Sequence, residues 1–307
     1  LEPIHRREFA QPDRAAVQDE VIRAVEADPE PFIAAYKADP DYFDGRYICA
    51  DNFKDRFSQF AASPDARNRY NTPVHNAAAV LSSELFRRVV NDTSEPLRDS
   101  AIFVTGVPGA GKTTAVLGAG VPSTARVVFE GQLNRPAPSM EKIQMALDAG
   151  LRPEIYAVHV LPEVALRRTF KRLEDYGRGA SIAVMADIQA GLPQGLQQRH
   201  DRFGESVGLV ILDNRFDGQH KELRGWQHLK QLTQEGNHAR ISERLRNELE
   251  RHKAGGRISD ACYRQANGDP PFPEPADLDK EGSRRDQSGV DGRELPKRAG
   301  QTNQVGA

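Results

Sequence analysis

The chain has 307 residues, room for one large domain or two modest ones. A formal charge of −2 gives no broad basic field, which argues against general nucleic-acid binding. No apolar run approaches the length of a membrane span, so no membrane partner is expected. The opening LEPIHRREFAQPD lacks the apolar core of a signal peptide, and two cysteines, Cys49 and Cys262, are too few for a disulfide framework or a cysteine zinc site. A cytoplasmic, reduced protein is the expectation.

Residues 1–43 read as a helical N-terminal extension. In PDRAAVQDEVIRAVEA, Val17, Val21, Ile22 and Val25 recur at helical spacing behind Pro12, a residue suited to opening a helix. Residues 44–218 alternate short apolar runs with longer helical patterns. RYICA, AIFVTG, ARVVFEG, EIYAVHVL and GLVILDN read as buried strands, with helices such as MEKIQMALDAG and PEVALRRTFKRLEDYG between them. That alternation predicts an α/β fold of three layers, a mostly parallel sheet covered on both faces. Residues 219–267 read as C-terminal helices, clearest in HARISERLRNELERHKAGG, where Ile241, Leu245 and Leu249 form one stripe. Residues 268–307 are rich in Pro, Gly and charge and read as a disordered tail.

The stretch AIFVTGVPGAGKTTAVLGAG carries the strongest chemical signal. Gly106, Val107, Pro108, Gly109, Ala110, Gly111, Lys112 and Thr113, followed by Thr114, fit the G-x-x-x-x-G-K-[ST] phosphate loop without a mismatch. Glycines let backbone N–H groups curl around phosphate oxygens, Lys112 can reach the β- and γ-phosphates, and the Thr113 hydroxyl is placed to ligate Mg²⁺. A glycine-rich turn that merely carries a lysine would not need a strand before it and a helix after it. The loop predicts ATP or GTP as ligand and leaves the reaction open, because motors, switches and kinases all use one.

Phosphoryl transfer also needs a carboxylate to accept a proton and cations to stabilise the moving group. Three acids stand at predicted strand ends: Asp51 after RYICA, Glu130 closing ARVVFEG, and Asp213 in GLVILDN. Each could equally be a helix cap or turn former. Arg172 stands near the end of a predicted helix, and Arg178 follows in a glycine-bounded turn able to act as a lid. Arg167, Arg168 and Lys171 read as a solvated basic face.

Together these segments resemble the zeta-toxin family of P-loop kinases, which includes UDP-N-acetylglucosamine kinases. VVFEGQLNRPAPSMEKIQMALDAGLRPEIYAVHVLPEVALRRTFKRLEDYGRGAS follows the family's core, LVILDNR resembles its closing strand, and CADNFKDRF with YNTPVHNAAAVLSSELFRRVV resembles its catalytic-aspartate segment and Thr-Pro helix. The resemblance covers roughly residues 45–216. It implies a P-loop kinase-like fold in which Asp51 takes the acceptor's proton, Lys112, Arg172 and Arg178 act on the transferred group, and Glu130, Thr72 and Gln132 bind the acceptor. It further implies a nucleotide-sugar acceptor such as UDP-N-acetylglucosamine, Mg²⁺ as cofactor, action as a toxin and an antitoxin protein as partner. In the usual family order the aspartate segment follows the phosphate loop, whereas here Asp51 and Thr72 precede Gly106. The order reads as rearranged, an edge unit moved to the front, with NDTSEPLRDS as the new connector. Rearrangement predicts Asp51 beside the phosphate loop, across a cleft from Arg172 and Arg178; otherwise Glu130 becomes the base. Gln132 stands where the family commonly has Thr, and an acid often found in the Thr-Pro helix is Val80 here or is displaced to Glu84.

Other readings remain open on the residues. The acceptor could be a dinucleotide or an antibiotic. A P-loop switch or motor would use Asp213 as its Mg²⁺ carboxylate, although no guanine-reading Asn-Lys-x-Asp occurs. A nucleotide-binding module would bind without turnover.

Overall fold

The computed structural model describes residues 1–272 apart from 119, 135, 136, 217 and 218. Helices α1 (Pro12–Ala27) and α2 (Glu30–Lys37) lead through a 3-10 turn into β1 (Tyr47–Cys49), followed by α3 (Ala50–Phe53), α4 (Ser58–Ala61), α5 (Pro64–Arg69) and α6 (His75–Val90). Then come β2 (Ser100–Thr105), α7 (Lys112–Leu117), β3 (Ala125–Glu130), α8 (Ala137–Asp148), β4 (Arg152–His159) and α9 (Pro162–Tyr176). The remainder is α10 (Ile182–Phe203), β5 (Gly208–Phe216), β6 (Gln219–Arg224), α11 (His238–Ala254) and α12 (Asp260–Asn267). Leu1–Pro271 forms one compact unit. Among the described residues no helix is long and apolar enough to cross a membrane.

The six strands form one sheet in the order β1-β3-β2-β4-β5-β6. All neighbours pair in parallel except β5 with β6. Side chains of β2 alternate between two cores, as a pleated strand covered on both faces requires. Ala101 and Phe103 join Ile22, Leu81 and Phe86 on one face. Ile102 and Val104 join Leu166, Met185 and Leu245 on the other. This is the expected three-layer α/β fold.

β1 is an edge strand, and an uncovered edge leaves backbone groups without partners. Helix α2 covers it. The Tyr36 hydroxyl donates to the Tyr47 carbonyl at 3.0 Å and accepts from the Cys49 N–H at 3.1 Å. The Tyr36 ring, fully buried, stacks on Phe53 of α3 with centroids 3.9 Å apart. The N-terminal helices therefore belong to the sheet's construction and fix the strand that leads into Asp51.

One sequence expectation meets a different outcome, and another lies mostly outside the described residues. Residues 219–224 open the region read as helical, yet QHKELR forms β6, antiparallel to β5. A strand with almost no apolar residue carries no period-2 signal, which is why its pairing was not legible. Of the tail read over 268–307, only residues up to 272 are described, and the rest lies outside the described residues.

The turn after α9 is held by close backbone approach. Gly177 caps the helix with φ +71°, and a Cβ placed there would lie 1.9 Å from the Pro64 carbonyl oxygen of α5. Gly177→Ala is expected to cost about 2–4 kcal/mol from the left-handed backbone and the overlap. Thermal unfolding should show a drop of roughly 5–10 °C; an unchanged midpoint would mean that the turn is not wedged against α5.

Candidate active site

β2 ends at Thr105 and the chain turns through the phosphate loop into α7. Gly106, Gly109 and Gly111 have φ of +148°, +82° and +82°, values that L side chains rarely adopt. A Cβ at Gly109 would lie 2.2 Å from the Ala165 carbonyl oxygen, so the loop sits directly on α9. The Lys112 ammonium turns back over the loop, donating to the Gly106 carbonyl at 3.2 Å and lying 3.5 Å from Glu130 Oε1. The Tyr47 hydroxyl donates to Glu130 Oε2 at 2.7 Å and lies 3.4 Å from Thr113 Oγ1.

Asp51 is brought to the same place from the front of the chain. Cys49 pairs in register with Glu130, so the first turn of α3 emerges beside the end of β3. The Asp51 carboxylate accepts from Lys54 Nζ through Oδ1 at 2.8 Å and meets an Arg178 terminal nitrogen through Oδ2, also at 2.8 Å. Burial works against its ionisation, but the Lys54 ammonium and the Arg178 guanidinium, with Arg172 behind them, outweigh burial and hold the carboxyl well below the usual range. The expectation of Asp51 beside the phosphate loop matches this geometry. The expected cleft between Asp51 and Arg178 is instead closed by an ion pair.

Three cavities meet here through shared walls. One of about 300 Å³ is lined by Lys112, Thr113, Glu130, Asp51, Arg168 and Arg172. A smaller one of about 130 Å³ shares Asp51 and Arg172 and adds Arg67, Asn71, Pro108 and Arg178. The third, about 620 Å³, shares Gly111, Thr114 and Arg168 with the first and continues over Leu212, Asn214, Phe216 and Lys221. Arg172 makes no hydrogen bond or ion pair among the described residues. Burial, then the neighbouring Arg178, lowers its pKa, and the guanidinium lines the two smaller cavities with its donors uncommitted.

Not every expected residue arrives. Thr72 and Gln132 do not line these three cavities; Gln132 is exposed, and the Thr-Pro turn presents Asn71 instead. Glu84 is ion-paired to Arg87 and Arg88 on α6. Other residues were missed by sequence reasoning. Arg168, read as part of a solvated face, donates to the Gly109 and Ala110 carbonyls at 3.3 Å each. Lys54 and Tyr47 carried no motif; spacing three residues after Asp51 was the one available signal for Lys54. Among the described residues no group of three or more His, Cys, Asp or Glu is gathered around a metal position. The Thr113 hydroxyl and Glu130 carboxylate, joined through Tyr47, are hard oxygen donors that fit Mg²⁺, an ion that completes its shell with phosphate and water.

Asp213 is committed elsewhere. Its carboxylate takes a bidentate grip from Arg215, at 2.9 and 2.7 Å. Arg215 also reaches Glu235, which meets His159 at 3.4 Å and Arg244 at 2.6 Å, and Arg244 bridges on to Glu163 of α9. This buried network ties β4, β5 and α9 to α11.

No family model matches the chain, and no curated protein matches it. Among solved structures, a chain of the native AvrRxo1-ORF1:-ORF2 complex is similar at 14% identity, covering 78% of this chain and 85% of that one, with a TM-score of 0.38. A chain of the AvrRxo1-ORF1:AvrRxo1-ORF2 complex with sulphate ions is similar at 14% identity over 70% and 67%, with a TM-score of 0.35. Both likenesses are loose.

The Glu235 network generates a pH prediction. Burial opposes ionisation of Glu235, but His159 and Arg244 pull its carboxyl down to about 2. A depressed folded value contributes stability above the unfolded pKa of 4.5, lost as pH falls towards about 2. Glu235→Gln should therefore cost at most about 3 kcal/mol at neutral pH, and this difference from the parent should shrink between pH 4.5 and 2. Urea titrations across that range check it; a difference independent of pH would rule it out.

Proposed function

We propose that the protein is a zeta-toxin-like kinase that transfers the γ-phosphate of ATP or GTP to a hydroxyl of a small molecule, with nucleotide sugars such as UDP-N-acetylglucosamine as the acceptor class. The observation that carries this reading is the shared wall. Asp51 and Arg172 line both the cavity over the phosphate loop and the smaller cavity beside it. A base and an uncommitted cation at such a junction suit a group passing from one ligand to another. Hydrolysis of a single nucleotide needs no second chamber. An antitoxin-like protein partner belongs to the same reading.

In this arrangement Lys112 and the loop hold the donor's β- and γ-phosphates, and the large cavity beyond Arg168 takes the base. Thr113 and Glu130 would hold Mg²⁺, which when bound neutralises charge on the β- and γ-oxygens. The acceptor oxygen forms its bond to the γ-phosphorus as the bond from that phosphorus to the β-bridging oxygen breaks, and the hydroxyl proton passes to Asp51. A carboxylate held far below neutral is ionised at working pH and ready to take that proton. Arg172 and Arg178 face the moving group and stabilise its charge. Glu130, 3.5 Å from Lys112, lies on the donor side of the cavity. A switch or motor using Asp213 loses its main support, because Arg215 already occupies that carboxylate.

The test is a screen of nucleotide sugars, dinucleotides and antibiotics for acceptor-dependent release of ADP or GDP, with two variants. Asp51→Asn should lower kcat by about 10²–10⁴-fold with nucleotide affinity retained. Arg172→Ala should also lower kcat while changing acceptor KM less, because its charge matters most in the transition state. Nucleotide hydrolysis at the same rate with no acceptor would favour a switch, and Asp51→Asn at parent activity would pass the base to Glu130.

A further inference from the structure

Lys54 is a buried cation inside CADNFKDRF, a segment in which the sequence reading gave a role to Asp51 alone. Its side chain is 2% exposed, and its ammonium lies 2.8 Å from Asp51 Oδ1 and 2.7 Å from Asn71 Oδ1. An ammonium taken out of water loses solvation that an apolar side chain of similar volume would not need, so packing alone does not explain a lysine here. Its partners point to another role. One is the carboxylate at the junction of two cavities, and the other is the amide that the turn before α6 presents to the smaller cavity. We infer that Lys54 is a positioning residue for the transfer, holding Asp51 by Oδ1 so that Oδ2 is the atom presented to the acceptor hydroxyl.

This inference rests on the kinase reading. The two cations on Asp51 differ in what else they can reach. Arg178 holds Oδ2 and lines the smaller cavity, where an incoming phosphoryl group offers its guanidinium a second anion. Lys54 lines none of the three cavities and has no such exchange. Once Arg178 turns to the transferring group, Oδ2 is free to take a proton while Oδ1 stays fixed. The carboxylate then keeps its plane as it takes the proton, and stays ionised until it does.

Asp51 is faced by Lys54 from its own turn, Arg172 and Arg178 from α9 and the turn after it, Cys49 from β1, and His75 from α6. Burial pushes the Cys49 thiol up to about 12, and burial with Lys54 pulls His75 down to about 4. Removing the Lys54 charge would raise both Asp51 and His75, so the two must be read separately.

Carboxyl-carbon NMR of Asp51, titrated in the ligand-free protein, separates them and needs no turnover. Lys54→Met should raise the Asp51 midpoint by about one pH unit or more, and Lys54→Arg should restore it. If Lys54→Met fails to fold, Lys54→Gln keeps a polar donor without the charge and should show the same rise. In acceptor-dependent turnover, the acid limb of kcat should move up with the NMR midpoint while nucleotide KM stays unchanged. An Asp51 midpoint unmoved in the folded variant overturns the inference, as does an acid limb that stays at the parent's pH. A parent with no acceptor-dependent turnover would sink the kinase reading instead, while the NMR midpoint would still decide whether Lys54 governs Asp51.

Discussion

The site depends on the parallel pairing of β1 with β3. Tyr47, Ile48 and Cys49 lie beside Val128, Phe129 and Glu130, and the Val128 N–H donates to the Arg46 carbonyl at 2.7 Å. Parallel strands end on the same side, so this register delivers Asp51 next to Glu130 and the phosphate loop. Three residues make few ladder hydrogen bonds, and the strand is also held by the Tyr36 hydroxyl and by the core that Ile48 shares with Phe53 and with Leu81 of α6. Loss of that packing would move Asp51 while leaving the phosphate loop in place, since the loop is fastened independently to α9 through Gly109.

Charge at the site is arranged with the same economy. Asp51 is shared between Lys54 and Arg178, and Glu130 faces Lys112, so each acid has a cation close by. Arg172 has none of these bonds among the described residues, although it lies within the field of both acids. An unpaired guanidinium beside paired ones is the arrangement that gains most when a multiply charged anion enters.

The sequence carried the fold because its strands are short, β-branched and bounded by turns, and because the phosphate loop names its own neighbours. The position of Asp51 was legible through resemblance, even with its segment ahead of the loop. What escaped has physical causes. β6 has no hydrophobic period, and its pairing is decided by the backbone of β5. Arg168 reads as surface charge in one dimension, because a helix period cannot show that the phosphate loop passes beneath it. Lys54 escaped because buried lysines are rare and its partner Asn71 lies seventeen residues on. Thr72 and Gln132 were taken from family positions, and side-chain direction is what a motif does not encode.

The order of elements along the chain also has a consequence for how the protein comes into being. During synthesis β1 and Asp51 leave the ribosome before β2 and β3 exist to receive them. The residues that shelter β1 in the finished protein, Tyr36, Phe53, Leu81 and Phe86, come from the same early stretch and share one core. The front of the chain thus brings its own housing for Asp51, while the phosphate loop arrives later with its own strand and helix. Union of the two is a long-range docking step, the kind that forms slowly because distant parts of the chain must meet. A nascent chain therefore holds Asp51 and the phosphate loop apart, and the candidate site is assembled only when the edge strand closes onto β3.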